Sequence, residues 1–184
     1  MPGWRLRFAA RAVHDGGLIS YPTEAVYGLG CDPLDPVAVL DLLALKGRPM
    51  GKGLIVIAAD FDQLRPYVSE VAAAGMTAVR DSWPGPHTWL LPALPSVPPW
   101  LTGDHQTLAV RVTAHPVAAA LCRLTGPLVS TSANPAGRLP ARNPLTVRRY
   151  FGDVLDAMVS GPIDPERGPS TIRDAATGRL WRGE

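Results

Sequence analysis

Short apolar runs take turns along the chain with segments that favour helix. The continuous β-branched run LIVIA at 54–58 suits a strand buried on both faces. LISY (18–21), TWLLP (88–92), TLAVRV (107–112) and LVSTS (128–132) read as further strands. Residues 36–45 carry apolar side chains at helical spacing, with Asp35 as N-cap and Pro36 at the first helical position. Residues 5–14, stopped by Gly16 and Gly17, and 116–124, ended by Gly126 and Pro127, also read as helices. Residues 144–151 repeat the capping signal with Asn143 and Pro144. The segment 61–81 is expected to be helical with a break near Pro66. YPTEAVYGLGCD (21–32) is expected to leave a strand as a polar loop with a Gly-x-Gly turn. STIRD and RLW, around an AATG turn, suggest a closing hairpin. Strands and helices alternate with hairpins mixed in, which predicts an α/β fold on a mixed sheet.

Length and composition narrow this further. With 184 residues and 46% hydrophobic content, the expectation is one domain over 1–184 with a sizeable core. No run approaches 18 apolar residues, so no membrane-spanning helix is expected, and the N-terminal stretch reads as mature protein. Cys31 and Cys122 stand in unrelated contexts, which fits a reducing cytosol and a cytoplasmic protein. The four histidines show no metal-ligand spacing. A net charge of +2 is low for a dedicated nucleic-acid binder. The distribution of cations is more informative. Of 18 basic residues only Lys46 and Lys52 are lysines, and both lie in LKGRPMGKGLIVI. A compact ammonium suits polyphosphate.

That stretch is not a phosphate-binding P-loop. Its glycines are one residue too close, Gly53 stands where a Ser or Thr would hold magnesium, and the order is helix, loop, strand. It presents Lys46, Arg48 and Lys52, either to a ligand or as a solvated turn. Thr23, Glu24 and Tyr27 follow a strand, where open α/β sheets place ligands. Ser130, Thr131, Ser132 and Asn134 crowd the end of another strand, and Gly137 allows close approach. Arg111 interrupts an apolar strand. It either meets an internal carboxylate or points into an anion-binding cleft. No Ser-His-Asp or Cys-His arrangement stands out. Cations, hydroxyls and an amide suit the stabilisation of phosphate charge.

YPTEAVYGLGCDP, LKGRP with KGLIVI, WPGPHTWLLPA, LAVRV, PLVSTSANPAG and PSTIRDAATGRLWRG stand in the order found in the TsaC/YrdC threonylcarbamoyl-AMP synthases, which the chain resembles from about Leu18 to Gly183. The likeness is to the short bacterial form. It implies a YrdC-like α/β fold, a twisted mixed sheet flanked by helices with an open, positively charged cavity. It implies a nucleotidyltransferase reaction in which L-threonine, bicarbonate and ATP, with Mg2+, give threonylcarbamoyl-AMP and pyrophosphate. Transfer to tRNA by the proteins TsaD, TsaB and TsaE would follow. The family signature falls on Lys46, Arg48, Ser132 and Asn134 as catalytic residues. Arg48, Lys52, Thr107, Ser132 and Arg182 fall at ATP-binding positions, and Thr23, Arg111 and Ser130 at the threonine and bicarbonate end. Ala25 and Ile57 replace a threonine and a histidine found in many relatives. Two other readings remain open at this point: a non-enzymatic RNA-binding protein acting in tRNA or rRNA maturation, and a carbamoyl-adenylate module like that of hydrogenase-maturation proteins.

Overall fold

Asp35 and Asn143 begin two of the helices as their positions predict. In the computed structural model, which describes residues 3–164, 166, 168 and 170–182, the Asp35 carboxylate accepts from the N–H groups of Val37 and Ala38 at the head of α2 (Pro36–Lys46). Asn143 accepts from Thr146 N–H at the head of α6 (Pro144–Phe151). The other helices are α1 (Gly3–His14), α3 (Ala73–Asp81), α4 (Pro99–Thr102) and α5 (Pro116–Thr125).

Nine strands form one mixed sheet: β1 (Ile19–Pro22), β2 (Tyr27–Gly30), β3 (Ile55–Ala58), β4 (His87–Pro92), β5 (Thr107–Val112), β6 (Leu128–Ser132), β7 (Ala157–Met158), β8 (Thr171–Asp174) and β9 (Leu180–Arg182). Their order is β7-β1-β2-β6-β3-β5-β4-β8-β9. The pairs β1–β7, β3–β5 and β4–β8 are parallel and the rest antiparallel. No helix among the described residues is long and apolar enough to cross a membrane.

The alternation of side chains along the central strands gives the sheet two unlike faces. Val56, Ala58, Leu108, Val110, Val112 and Val129 point to one side, where Leu42 of α2, Val79 of α3 and Phe151 of α6 cover them. Ile19, Tyr21, Ile57 and Leu128 point to the other, where α1 and α5 pack with Val13, Ala118 and Leu121. The first face is covered across the sheet. The second is covered only in part, and Arg111, Ser130 and Ile55 emerge from it where the cover stops.

Two expectations need correction, for identifiable reasons. Residues 61–81 are helical as expected only from Ala73, in α3, and the break at Pro66 is wider than a kink. A 3-10 turn at Asp62–Leu64 gives way at Pro66 to an extended segment, which pairs through Val68 with Ala93 and bonds Ser69 N–H to Pro92 O. Pro66 has no N–H for a helix, and burial of Tyr67 and Val68 beside the end of β4 replaces the missing turn. The Gly-x-Gly stretch is not a turn but β2, hydrogen-bonded on both edges. Its glycines face the second side of the sheet. A Cβ on Gly30 would lie 2.5 Å from the Val129 carbonyl and 2.9 Å from the Tyr21 ring, so close approach, not a positive φ, is what selects glycine there. The short β7 had no signal strong enough to be read in the sequence.

Gly30→Ala should therefore destabilise the protein by about 1–3 kcal/mol through overpacking. Urea denaturation monitored by circular dichroism checks this, and an unchanged midpoint would show that the Tyr21 contact is not tight.

Candidate active site

The open part of the second sheet face is the floor of a cavity of about 460 Å³, a size typical of small-molecule sites. Gly28 of β2 leaves the floor bare beside Ser130 and Thr23, where a Cβ would lie 3.5 Å from the Ser130 hydroxyl and 3.3 Å from Thr23 Cγ2. Nine of the ten residues expected from the sequence line this space: Thr23, Lys46, Arg48, Lys52, Arg111, Ser130, Ser132, Asn134 and Arg182. Thr107 does not. It shares a face of β5 with Arg111 but starts the strand, about 13 Å away at strand rise. Ile57 is buried under α5 and takes no part, while Ala25 is in the wall.

One wall comes from the end of α2. Gly47 closes that helix in the left-handed conformation (φ 60°), with its N–H bonded back to Ala44 O. The turn points Lys46 inward. Its ammonium donates to the carbonyls of Ser132 and, at 2.8 Å, Asn134, so two of its three donors tie α2 to the loop after β6. Burial, reinforced by the neighbouring Arg48 charge, pulls the Lys46 pKa down to about 8. Arg48 folds over the following 3-10 turn and donates through Nε and Nη2 to Gly53 O, at 3.3 and 2.9 Å. Burial lowers its pKa as well. Lys52, in the same turn, is exposed, and its ammonium donates to no group among the described residues. Of these three cations it is the one left entirely to a ligand or solvent.

The loop after β6 orients its own polar groups. Asn134 spends its NH2 on Arg138 O at 2.8 Å and Pro135 O at 3.1 Å, which turns its oxygen toward the Ser132 hydroxyl at 2.6 Å. Asn134 thus holds Ser132 in place. Opposite, Arg182 of β9 donates to the carbonyl and hydroxyl of Ser170, at 3.4 and 3.3 Å. Desolvation, then the charges of Arg111 and Arg48, lower its pKa.

Glu24, in the turn from β1 to β2, is the residue whose role the sequence did not reveal. Its Oε1 accepts from the Thr113 hydroxyl at 2.7 Å and from Ala114 N–H at 3.1 Å. Its Oε2 lies 3.6 Å from Arg111 Nη2, and both side chains are buried. Arg111 therefore meets an internal carboxylate and opens into the cleft as well. Burial alone would raise the Glu24 pKa. The Arg111 charge and the bonds from Thr113 and Ala114 outweigh it and hold the carboxyl below its usual range. Its place after a strand marked Glu24 with Thr23 and Tyr27, and the signal for its role was the buried arginine that needs a carboxylate to neutralise it. Thr23, its neighbour, donates its hydroxyl to Val26 O at 2.7 Å and closes the turn.

Among the described residues the lining holds five basic side chains and one carboxylate. Such a cavity takes anions. No group of three or more metal-ligating side chains occurs among the described residues.

Comparison with known proteins gives this cavity a context. The Sua5/YciO/YrdC family model, described as "Telomere recombination", matches residues 11–182. Threonylcarbamoyl-AMP synthase of Nitrosococcus oceani is 56% identical over 98% of both chains. That of Pseudomonas aeruginosa is 52% identical over 97% of both. The crystal structure of P. abyssi Sua5 complexed with L-threonine superposes with a TM-score of 0.89 at 34% identity. It is matched over 95% of the present chain and 52% of its own, so the present chain spans about half of it.

The two-lysine composition makes the Lys46 pKa directly measurable. With lysine side chains isotope-labelled, the NMR resonance that disappears in Lys46→Arg should titrate near pH 8 in the free protein and move upward when a polyphosphate is added. A midpoint near the ordinary 10.5 would contradict the burial argument.

Proposed function

The chain belongs to the Sua5/YciO/YrdC family, and on that footing we propose that it is an enzyme joining L-threonine, bicarbonate and ATP into threonylcarbamoyl-AMP, for threonylcarbamoyl modification of tRNA. The observation that carries this reading is the convergence of Lys46, Arg48, Lys52, Arg111 and Arg182 on one cavity, in a chain 56% identical to a threonylcarbamoyl-AMP synthase end to end.

The reaction has two parts. The threonine ammonium and bicarbonate give an N-carboxylate, water and a proton. A carbamate oxygen then bonds to the α-phosphorus of ATP, and the bond from that phosphorus to the bridging oxygen breaks, releasing pyrophosphate with the electron pair. Arg111 holds the threonine carboxylate, with Ser130 and Thr23 beside it. Lys46, Arg48, Lys52 and Arg182 neutralise charge that grows on the phosphates, and preorganised donors of this kind are a major source of rate. Ser132, steadied by Asn134, offers its hydroxyl to the same oxygens. Thr107, farther along the same face of β5, belongs to the nucleoside end if ATP extends beyond the cavity.

The residues present do not make a magnesium site of their own, because the single cavity carboxylate already faces Arg111. Magnesium is assigned here to the substrate, carried on the ATP phosphates. Delivery of the product through TsaD, TsaB and TsaE, and a cytoplasmic location, are part of the same proposal. A purely RNA-binding role fits the cavity less well, since a phosphodiester backbone would bring Glu24 no cation.

Pyrophosphate release from ATP should require threonine and bicarbonate together. Release that continues with either omitted would defeat the proposal. Lys52→Ala should cut catalytic efficiency with ATP by about 10- to 100-fold, the worth of one charge-assisted hydrogen bond. Its thermal midpoint should not change, because the Lys52 ammonium bonds to no group among the described residues. Wild-type turnover would return the loop to a solvated turn.

A further inference from the structure

We propose that Glu24 receives the α-amino group of threonine, so that Glu24 and Arg111 together read an amino acid at both of its charged ends. This rests on the function proposed above and adds a binding residue to it. Glu24 Oε2 and Arg111 Nε are both buried and have no hydrogen-bond partner among the described residues. The two side chains are 8% and 7% exposed and both line the cavity. The 3.6 Å between Oε2 and Arg111 Nη2 is beyond hydrogen-bond reach. Unpaired buried polar atoms are rare in native proteins and call for an explanation.

The two side chains carry opposite charges, with Glu24 Oε2 3.6 Å from Arg111 Nη2. A simple anion would satisfy Arg111 and be repelled by Glu24. A simple cation would do the reverse. A zwitterion with its charges two bonds apart satisfies both, and it adds no net charge to a buried site. Its ammonium gives Oε2 a donor, and its carboxylate gives the Arg111 guanidinium an acceptor. The carboxyl of Glu24 is already fixed through Oε1 by Thr113 and Ala114, so Oε2 is aimed before the ligand arrives. After carbamation one N–H remains on the nitrogen, and Oε2 retains its donor. The new carboxylate is repelled by Glu24 and attracted by the basic side chains elsewhere in the cavity.

The test compares calorimetric binding of L-threonine and of its 2-hydroxy analogue, 2,3-dihydroxybutyrate, in which a neutral hydroxyl replaces the ammonium, to the full chain. Wild type should prefer threonine by about 10- to 100-fold. Glu24→Gln keeps an oxygen for Thr113 and Ala114 but loses the charge, and it should bind the two ligands within about threefold of each other. Thr113→Val removes the anchor, together with the bond that the Thr113 hydroxyl accepts from His115 N–H, and should weaken both ligands alike, with the preference kept. A Glu24→Gln protein that retains the wild-type preference, or loses affinity for both ligands equally, overturns the assignment, as does a wild type that shows no preference. If Glu24→Gln does not fold, Glu24→Asp carries the test. It keeps the charge, withdraws it by one methylene, and should show a reduced preference, while an unchanged preference overturns the assignment. Failure of wild type to bind threonine at all would overturn the proposed function itself, a result distinct from loss of discrimination alone.

Discussion

A guanidinium in the middle of an apolar strand is the constraint on which the cavity depends. Burying a charge without a partner is costly, and Arg111 lies on β5 between the buried Val110 and Val112. The partner comes from far away in sequence. The turn from β1 to β2 carries Glu24 over the end of β5, and Thr113, just beyond that strand, fixes the carboxylate across 89 residues of chain. The strand that carries the arginine therefore leads directly into the group that positions its counter-charge. The pair is close enough for charge to balance and too far apart for a hydrogen bond. Each side chain is thus neutralised without being used up.

The remaining cations are handled differently. Lys46 is buried and tied to two carbonyls, Arg48 is tied to Gly53, and Arg182 leans on Ser170. Among the described residues each is anchored by neutral backbone or hydroxyl groups, not by carboxylates. Their positive charge is consequently not cancelled inside the protein, and the lowered pKa values of all three record the cost of holding them that way. A polyanionic ligand relieves that cost. The floor beneath them stays open because Gly28 adds no side chain and because α1 and α5 cover only part of that sheet face.

Much of this was legible in the chain, and the reasons differ by residue. Asp35, Pro36, Asn143 and Pro144 announce helix starts because capping is local. TLAVRV and LVSTS gave their strands to the residue because a buried run has no other stable use. The part of 61–81 before α3 and the Gly-x-Gly segment misled because their outcome is tertiary: Val68 pairs with Ala93, and Gly30 exists to admit Tyr21. Arg111 stood out as a charge in an apolar strand, and both answers considered for it hold at once. Glu24 was marked only as part of a polar loop after a strand, and its role was not legible, since its meaning lies in partners 87 to 90 positions away, which no local pattern encodes. The catalytic signature itself came from resemblance to a family. Spacing alone left the lysine loop as an ordinary charged turn.

The central claim is that one cavity holds both the polyphosphate and the amino acid. A crystal structure with L-threonine and a non-hydrolysable ATP analogue tests it most directly. The account predicts the phosphates against Lys46, Arg48, Lys52 and Arg182, with the threonine carboxylate on Arg111. Ordered nucleotide or threonine bound elsewhere on the molecule, with this cavity holding only water, would contradict it.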